Sequence, residues 1–251
     1  MRRVRAVTVD FWGTLITQPP QADDRYRERR LADFQTILRR VGLRVSSAAL
    51  AQGYQHSARE LESVWALNRD LPPLRHVASI LEGARAGLSA RVPRAVVDEL
   101  VEAYARPALL VPPPADTEAG KGLRALAARG IRLAVVSNTM RTPGRALRRM
   151  LDHHGLLAPF AHLTFSDEVG VRKPAAEIFH LALDALGVAP GESVHVGDDA
   201  LLDVHGARRA GMRAVQVVAS GKPGSGEQAP DVVIADLGEL PRAIAALESA
   251  A

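Results

Sequence analysis

Hydrophobic and polar positions alternate differently in different parts of the chain. Near the N-terminus, the apolar, β-branched run Val4–Val9 ends at a carboxylate, Asp10, and Gly13 and Thr14 follow directly. Short apolar runs that are closed by turn residues are typical of buried parallel strands. From residue 115 onward, similar runs alternate with stretches of helical length. This alternation predicts an α/β core in which right-handed helical crossovers join parallel strands.

The second part of the chain supplies most of this predicted core. Apolar runs predict further strands at Ile131–Ser137, His162–Ser166, Ser193–Gly197, Arg213–Val218 and Val232–Ala235. The stretches around them have helical periodicity, and several end at a glycine, which favours helix termination. Helices are predicted at Ala119–Arg129, Pro143–His153, Ala175–Leu186 and Ala200–Ala210, and from Glu239 onward.

The segment between residues 16 and 114 has a different pattern. Its apolar residues recur at spacings of three and four, as in the series Leu31, Phe34, Ile37, Leu38 and Val41. This spacing places them on one face of a helix, and no alternation typical of strands interrupts the segment. We therefore predict a discontinuous core domain of residues 1–15 and 115–251 with an all-helical domain of residues 16–114 inserted after the first strand.

Composition narrows the possible classes of protein. The chain has 251 residues, 47% of them hydrophobic, and it contains no cysteine, which excludes disulfides and thiolate chemistry. The net charge is +4, and we attribute the high isoelectric point to a preference for arginine because no nucleic-acid-binding motif is present. No apolar run approaches the ~20 residues of a membrane span. We predict a cytoplasmic protein without nucleic-acid or membrane partners; the sequence does not indicate its oligomeric state.

Polar residues follow four of the predicted strands. In an open α/β sheet, ligands bind beyond the carboxyl ends of the strands, so these residues are candidates for one site. Taken singly, polar residues at strand ends are more often helix caps or turn residues. The candidates, in chain order, are Asp10, Ser137, Asn138, Lys173, Asp198, Asp199 and Asp203.

In this order the four groups resemble the motifs of the haloacid dehalogenase-like hydrolase superfamily. The first motif corresponds to Asp10–Thr14 (DFWGT), the second to Ser137-Asn138, the third to Lys173-Pro174 and the fourth to Gly197–Asp203 (GDDALLD). The resemblance covers the whole predicted core. It implies a Rossmann-like three-layer core with a mostly parallel sheet, and it identifies the inserted segment as a helical cap domain.

The resemblance also implies a chemistry. Asp10 is predicted to be a nucleophile that forms a covalent aspartyl intermediate, which divides a difficult displacement into two easier steps. Lys173 and Mg²⁺ would supply the counter-charge for an anionic substrate. Phosphate oxygens would be bound by Thr14, Ser137, Asn138 and Lys173. Mg²⁺ would be held by Asp10, Asp198 and the backbone carbonyl of Trp12, with Asp203 or Asp199 further out.

Trp12 departs from the pattern of the family's phosphatases, which carry a second Asp two residues after the nucleophile. That Asp protonates the leaving group, and an indole cannot do so because its only polar atom is a donor of very high pKa. Family members that cleave carbon–phosphorus bonds or act on acyl phosphates also lack the acid. The metal-independent 2-haloacid dehalogenases carry a Tyr there, and halide leaves without a proton.

Three functions therefore stay open at this point. The favoured one is a Mg²⁺-dependent hydrolase of a small phosphorylated metabolite, because clustered carboxylates without a cation would repel one another. The second is a 2-haloacid dehalogenase, in which Arg25 or Arg29 would bind the substrate carboxylate from the start of the cap. The third is a non-catalytic binding or regulatory protein. His195, inside an apolar strand, is predicted to be a core residue and not a catalytic base.

Overall fold

A computed structural model describes residues 3–17, 22–218 and 223–249 of the chain. The chain divides into two compact units. The first consists of Met1–Gln18, Pro113–Asn138 and Leu151–Ala251, and the second of Pro19–Pro112 and Thr139–Met150. The second unit thus contains, besides the inserted segment, the residues that directly follow Asn138.

The first unit is built on a parallel sheet, which confirms the predicted α/β, Rossmann-like fold. Its described strands are β1 (Ala6–Val9), β2 (Arg132–Ser137), β3 (Phe160–Phe165), β4 (Ser193–Gly197), β5 (Arg213–Val217) and β6 (Val232–Ile234). They lie in the order β3-β2-β1-β4-β5-β6, and every pairing is parallel. The chain therefore extends the sheet in one direction from β1 and then returns to build the other half from β4.

The second unit is helical, as the periodicity of the inserted segment predicts. Its helices are α1 (Ala22–Arg40), α2 (Ser47–Trp65), α3 (Pro73–Ala84), α4 (Leu88–Arg91), α5 (Arg94–Ala105) and α6 (Pro107–Leu110). Ser46 caps α2, because its side chain accepts a hydrogen bond from the backbone N–H of Ala49. The apolar faces of α1, α2, α3 and α5 bury Phe34, Leu50, Ile80 and Leu100 in one core.

Six further α-helices follow in the described part of the chain. They are α7 (Ala119–Ala128), α8 (Gly144–His153), α9 (Ser166–Val169), α10 (Ala176–Leu186), α11 (Gly206–Arg209) and α12 (Leu240–Ser249). The predicted single helix Ala200–Ala210 begins instead as a π-helical turn over Ala200–His205. The backbone N–H of Val204 donates to the carbonyl of Asp199, five residues earlier, which widens this turn.

Both faces of the sheet are covered, as expected for parallel strands. On β2, Ala134 and Val136 pack against α10, and the alternate residues Leu133 and Val135 are equally buried. Such burial leaves mainly the strand ends available for polar chemistry. Among the described residues, no helix is both long and apolar enough to cross a bilayer.

Candidate functional site

Two neighbouring strands, β1 and β4, bring the predicted acidic residues together. Asp10 follows β1 directly, Asp198 follows β4 directly, and β1 and β4 are paired in the sheet. The strand order changes direction between these two strands, and α/β sheets bind ligands at such a switch point. Asp10, Asp198 and Asp203 each place a carboxylate oxygen within 4.8 Å of the others. The structure thus unites residues that lie almost 200 positions apart in the chain.

Lys173 is the cation within this acidic group. Its Nζ lies 2.5 Å from Oδ1 of Asp10 and 2.5 Å from Oδ1 of Asp203, and the three side chains are almost fully buried. Asp203 has two more partners: its Oδ1 is 3.0 Å from Nε2 of His195, and its Oδ2 accepts from the backbone N–H of Asp199. Asp203 therefore fixes the ammonium group of Lys173 beside Asp10.

Burial and the neighbouring charges shift the pKa values of the three carboxyl groups in different directions. Burial raises the pKa of Asp10 to about 8; Asp203 and Asp198 act in the same direction, and Lys173 opposes them. Burial also raises the pKa of Asp198 to about 6, with a further contribution from Asp203. Burial alone would raise the pKa of Asp203, but Lys173 and His195 hold it well below its usual range. One ammonium group thus faces three carboxylates.

Two glycines make room for these carboxylates. Gly13 has a positive φ of +78°, and a Cβ built on it would overlap the carboxylate of Asp198. A Cβ on Gly197 would overlap the carboxylate of Asp203. Glycine is therefore required at both positions for steric reasons, and at Gly13 also for its backbone conformation.

Asn138 is hydrogen-bonded to the backbone of Lys173, and its predicted contact with phosphate stays a prediction. Its side-chain Oδ1 accepts from the backbone N–H of Lys173 at 2.9 Å, and its Nδ2 donates to the carbonyl of Lys173 at 3.1 Å. The amide thus clamps the backbone of the catalytic lysine candidate. Ser137 is fully buried at the end of β2, and its Oγ makes only a 3.4 Å contact, to the carbonyl of Asn138.

Thr14 is buried, whereas Asp199 is exposed. The hydroxyl of Thr14 is buried and has no hydrogen-bond partner among the described residues, so it retains its donor and acceptor capacity. Asp199 is exposed, and its Oδ1 accepts from the backbone N–H groups of Leu201 and Leu202 at 2.8 Å. Asp199 is therefore the N-cap of the π-helical turn and not a member of the carboxylate group.

Trp12 occupies the turn between the nucleophile candidate and Gly13. Its indole ring lies edge-on to Phe11, with the ring centroids 4.9 Å apart. The side chain is half-buried, but its Nε1 is buried and has no hydrogen-bond partner in the described part of the chain. The position thus offers one unused donor and no group that can release a proton near neutral pH.

His195 is a core residue, as predicted, yet it belongs to the site's hydrogen-bond network. It is fully buried in β4, its Nδ1 lies 2.8 Å from the hydroxyl of Thr8, and its Nε2 contacts Asp203. Burial lowers the pKa of this imidazole. Sequence reasoning missed its contact with Asp203, eight positions later in the π-helical turn, because that spacing alone does not show that the chain folds back onto the strand.

The arginines of α1 are placed differently from one another. Arg25 and Arg29 are exposed, and Arg29 is paired with Asp33 at 3.0 Å. Their predicted contacts with a substrate stay a prediction. Arg30, by contrast, is only 1% exposed, and its Nε donates to the carbonyl of Tyr104 at 2.8 Å. This buried arginine was not singled out from the sequence.

His76 of α3 lies next to the same aromatic residue. Its Nδ1 is 3.0 Å from the hydroxyl of Tyr104, and its Nε2 is buried without a hydrogen-bond partner among the described residues. Burial lowers the pKa of His76 to about 4, and the positive charges of Arg141 and Arg30 act in the same direction, while Asp70 opposes them. The imidazole is therefore neutral at pH 7 and resists protonation at pH 5.

We expect the helical unit to lose stability as the pH falls from 7 to 5. The unfolded chain binds a proton at His76 near pH 6.5, but the folded chain binds it only near pH 4. The resulting loss is at most about 2 kcal/mol of unfolding free energy, measurable by urea unfolding at both pH values. His76→Gln should lose this part of the pH dependence, whereas His56→Gln, at an exposed position in α2, should retain it. An equal pH dependence in both variants would contradict the assignment.

Comparison with known proteins adds independent observations. Residues 4–211 match the family model of haloacid dehalogenase-like hydrolases. The phosphoserine phosphatase of Thermus thermophilus is 41% identical over 112 residues, which are 45% of this chain and 44% of that protein. The chain thus spans less than half the length of the curated relatives that it matches first.

Solved structures agree with this match. A 2-haloacid dehalogenase from Pseudomonas syringae covers 97% of this chain and 99% of its own, with a TM-score of 0.71 and 22% identity. A phosphatase from Thermococcus onnurineus covers 96% of this chain and 98% of its own, with a TM-score of 0.59 and 25% identity. At 22% identity the dehalogenase shows a common fold, and it does not decide between the two chemistries.

Proposed function

The chain belongs to the haloacid dehalogenase-like hydrolase family, and from this premise we propose that it is a phosphatase-type hydrolase of a small phosphorylated metabolite. Asp10 is the proposed nucleophile, which attacks phosphorus and forms an aspartyl-phosphate. The observation that carries the proposal is the group of three carboxylates around one lysine at the switch point of the sheet. The phosphatase names among the relatives support the same reaction class.

The residues present fit a magnesium ion. Mg²⁺ prefers oxygen ligands and is usually bound by one or two carboxylates together with waters. Asp10 and Asp198 can supply these, since their carboxylate oxygens lie within 4.8 Å of each other. Both oxygens of Asp203 already accept hydrogen bonds, so we assign it the role of positioning Lys173. When bound, Mg²⁺ would supply positive charge for phosphate oxygens; the proposed carbonyl ligand at Trp12 rests on the family resemblance.

The remaining polar groups suit a phosphate. Lys173 holds a positive charge beside Asp10, because Asp10 and Asp203 keep its pKa above the usual value against the opposing effect of burial. The unpartnered hydroxyl of Thr14 and the weakly engaged hydroxyl of Ser137 are donors that a phosphate oxygen can use. We assign Asn138 to positioning Lys173 through its backbone. Substrate choice is proposed to lie in the helical cap, segment 16–114, and the cytoplasmic location stays a prediction.

A metal-independent 2-haloacid dehalogenase is the second candidate, and Trp12 is the observation that favours it. Halide leaves without a proton, so the absence of a general acid does not impede that reaction. Asp198 is the observation against it, because a third carboxylate beside Asp10 is unfavourable without a cation. The non-catalytic alternative has no specific contact in its favour.

The deciding experiment compares phosphate esters with 2-haloacids, each with and without Mg²⁺. Phosphate release that requires Mg²⁺ would support the proposal. Halide release without metal would overturn it in favour of the dehalogenase. Binding of Mg²⁺ without turnover of either class would instead favour the non-catalytic alternative.

Asn138→Ala is expected to lower kcat by about 10-fold, because Lys173 then loses the clamp on its backbone. The same change should lower the free energy of unfolding by about 1–3 kcal/mol, since it leaves two buried backbone groups unpaired. Steady-state kinetics and urea unfolding measure the two effects separately. A loss of stability with unchanged kcat would show that the clamp does not position Lys173 for the reaction.

A further inference from the structure

Two arginines of the helical unit lie together without an acidic partner. We call Arg30, Arg141, Tyr54 and Tyr104 the arginine–tyrosine cluster. Arg30 donates to four neutral acceptors: the carbonyls of Tyr104 and Arg141 at 2.8 and 2.7 Å, and the hydroxyls of Tyr54 and Thr142 at 3.1 and 3.5 Å. These bonds satisfy its N–H groups, but they leave its charge uncompensated in a side chain that is 1% exposed.

Arg141 is the accessible member of the cluster. Its guanidinium lies over the ring of Tyr54, 4.0 Å from the centroid, and the side chain is half-buried. Its hydrogen bonds to the hydroxyl of Tyr104 and to the carbonyl of Tyr54 are long, 3.4 and 3.5 Å. Stacking on an aromatic ring fixes the plane of a guanidinium and leaves the N–H groups at its edge free to donate. The guanidinium of Arg141 is thus held in a fixed orientation, and its N–H groups make only weak hydrogen bonds.

The cluster carries two positive charges and no salt bridge among the described residues. Neither Arg30 nor Arg141 has a carboxylate oxygen within 4.0 Å in that part of the chain. Both charges are felt nearby, since they contribute to the low pKa of His76, which burial causes in the first place. The hydroxyl of Tyr54, which accepts from Arg30, still has its own hydrogen to donate. The two guanidinium groups and the Tyr54 hydroxyl therefore place donors and positive charge together, and their acceptors in the described residues are neutral.

We propose that the arginine–tyrosine cluster is a binding site for a small oxyanion, a carboxylate or phosphate group, with Arg141 as its main ligand. A planar, stacked guanidinium matches the two oxygens of such a group in bidentate geometry. Arg30 lies too deep for direct contact and adds positive charge beneath Arg141. The oxyanion is a small ligand of the helical unit, so the proposal stands independently of the proposed phosphatase function.

Binding is tested first with malonate, a dicarboxylate, on the full chain by calorimetry in the presence of a chelator. Arg141→Gln should weaken the binding of malonate by about 10- to 100-fold, because one charge-assisted pair is lost. Arg149→Gln, at an exposed arginine of α8 in the same unit, is the matched control and should bind malonate as the wild type does. Malonamide, which is neutral, should not bind measurably.

Arg141→Lys makes the test independent of the stability of the Gln variant. It keeps the charge but loses the planar fork, so malonate should bind about 3- to 10-fold more weakly than to the wild type. If malonate binds equally to the wild type and to both Arg141 variants, or not at all to the wild type, the proposal is overturned.

Discussion

Replacing Asp10 by Asn is expected to lower kcat for phosphate esters by about 10⁴- to 10⁶-fold, the scale of losses on removal of a catalytic nucleophile. Asn is nearly isosteric with Asp, but its amide is a poor nucleophile and cannot form the acyl phosphate. In the structure, the carboxylate of Asp10 lies at the end of β1 with its Oδ1 held 2.5 Å from Nζ of Lys173. Phosphate release with excess substrate and Mg²⁺ measures the effect.

Asp199→Asn is the matched control for this variant. Asp199 is another acidic residue of the same sequence motifs, but its carboxylate caps the π-helical turn. Asn is as good an N-cap as Asp, so kcat should change by less than about 3-fold. If Asp199→Asn were as inactive as Asp10→Asn, the geometric separation of the two carboxylates would be refuted.

A covalent intermediate would distinguish a nucleophile from a mere metal ligand. In wild-type enzyme quenched with acid during turnover, the peptide containing Asp10 should carry a phosphoryl group. In Asp10→Asn this modified peptide should be absent. A phosphoryl group found on another residue would contradict the assignment even if Asp10→Asn were inactive.

The sequence predicts the fold well where local patterns and tertiary burial agree. The strands β1 to β4 are short, mainly apolar runs that end in a polar residue or are followed directly by one, and β1, β2 and β4 lie close to their predicted positions. Gly130, Gly187 and Gly211 follow predicted helices and adopt a positive φ in the structure. The strand ends then converge because parallel strands share one carboxyl edge.

The sequence predicts partners less well, because a partner across the sheet has no fixed spacing in the chain. Asn138 illustrates this limit, because its place after β2 does not indicate that its amide pairs with the backbone of Lys173, 35 positions away. The π-helical turn after Asp199 was also missed. Its wider hydrogen bond arises where the carboxylate of Asp203 folds back to the backbone N–H of Asp199.

Arg30 shows that the helical spacing of buried positions can be overlooked when a charged residue is assumed to be exposed. It stands in a run of arginines that suggests a solvated face. However, Tyr26, Arg30, Phe34 and Ile37 follow the three- and four-residue spacing of the buried stripe of α1, and all four are buried. A charged residue on such a stripe needs polar partners, and the structure supplies them from Tyr104, Tyr54 and Arg141.

If the chain is a phosphatase-type hydrolase, as proposed, Trp12 should determine which phosphate compounds it hydrolyses, because an indole cannot serve as a general acid. Without a general acid, the leaving group must depart unprotonated, so the rate should depend steeply on its basicity. We expect kcat/KM for an aryl or acyl phosphate to exceed that for an alkyl phosphate by about 10²- to 10⁴-fold, the usual contribution of acid–base catalysis. The indole Nε1, buried and without a partner among the described residues, adds a donor but no transferable proton.

Trp12→Asp should therefore raise kcat/KM for alkyl phosphates by up to about 10²- to 10³-fold and flatten the dependence on leaving-group pKa. Trp12→Asn is the matched control, because it vacates the same space and adds no acid. If both variants gain equally, the indole acts by filling space, and if both lose activity, it shapes the pocket for its own substrate. If kcat/KM for alkyl phosphates rises in Trp12→Asp but not in Trp12→Asn, the missing proton donor is what separates this chain from an ordinary phosphatase. The carboxylates and the lysine around Asp10 are already in place.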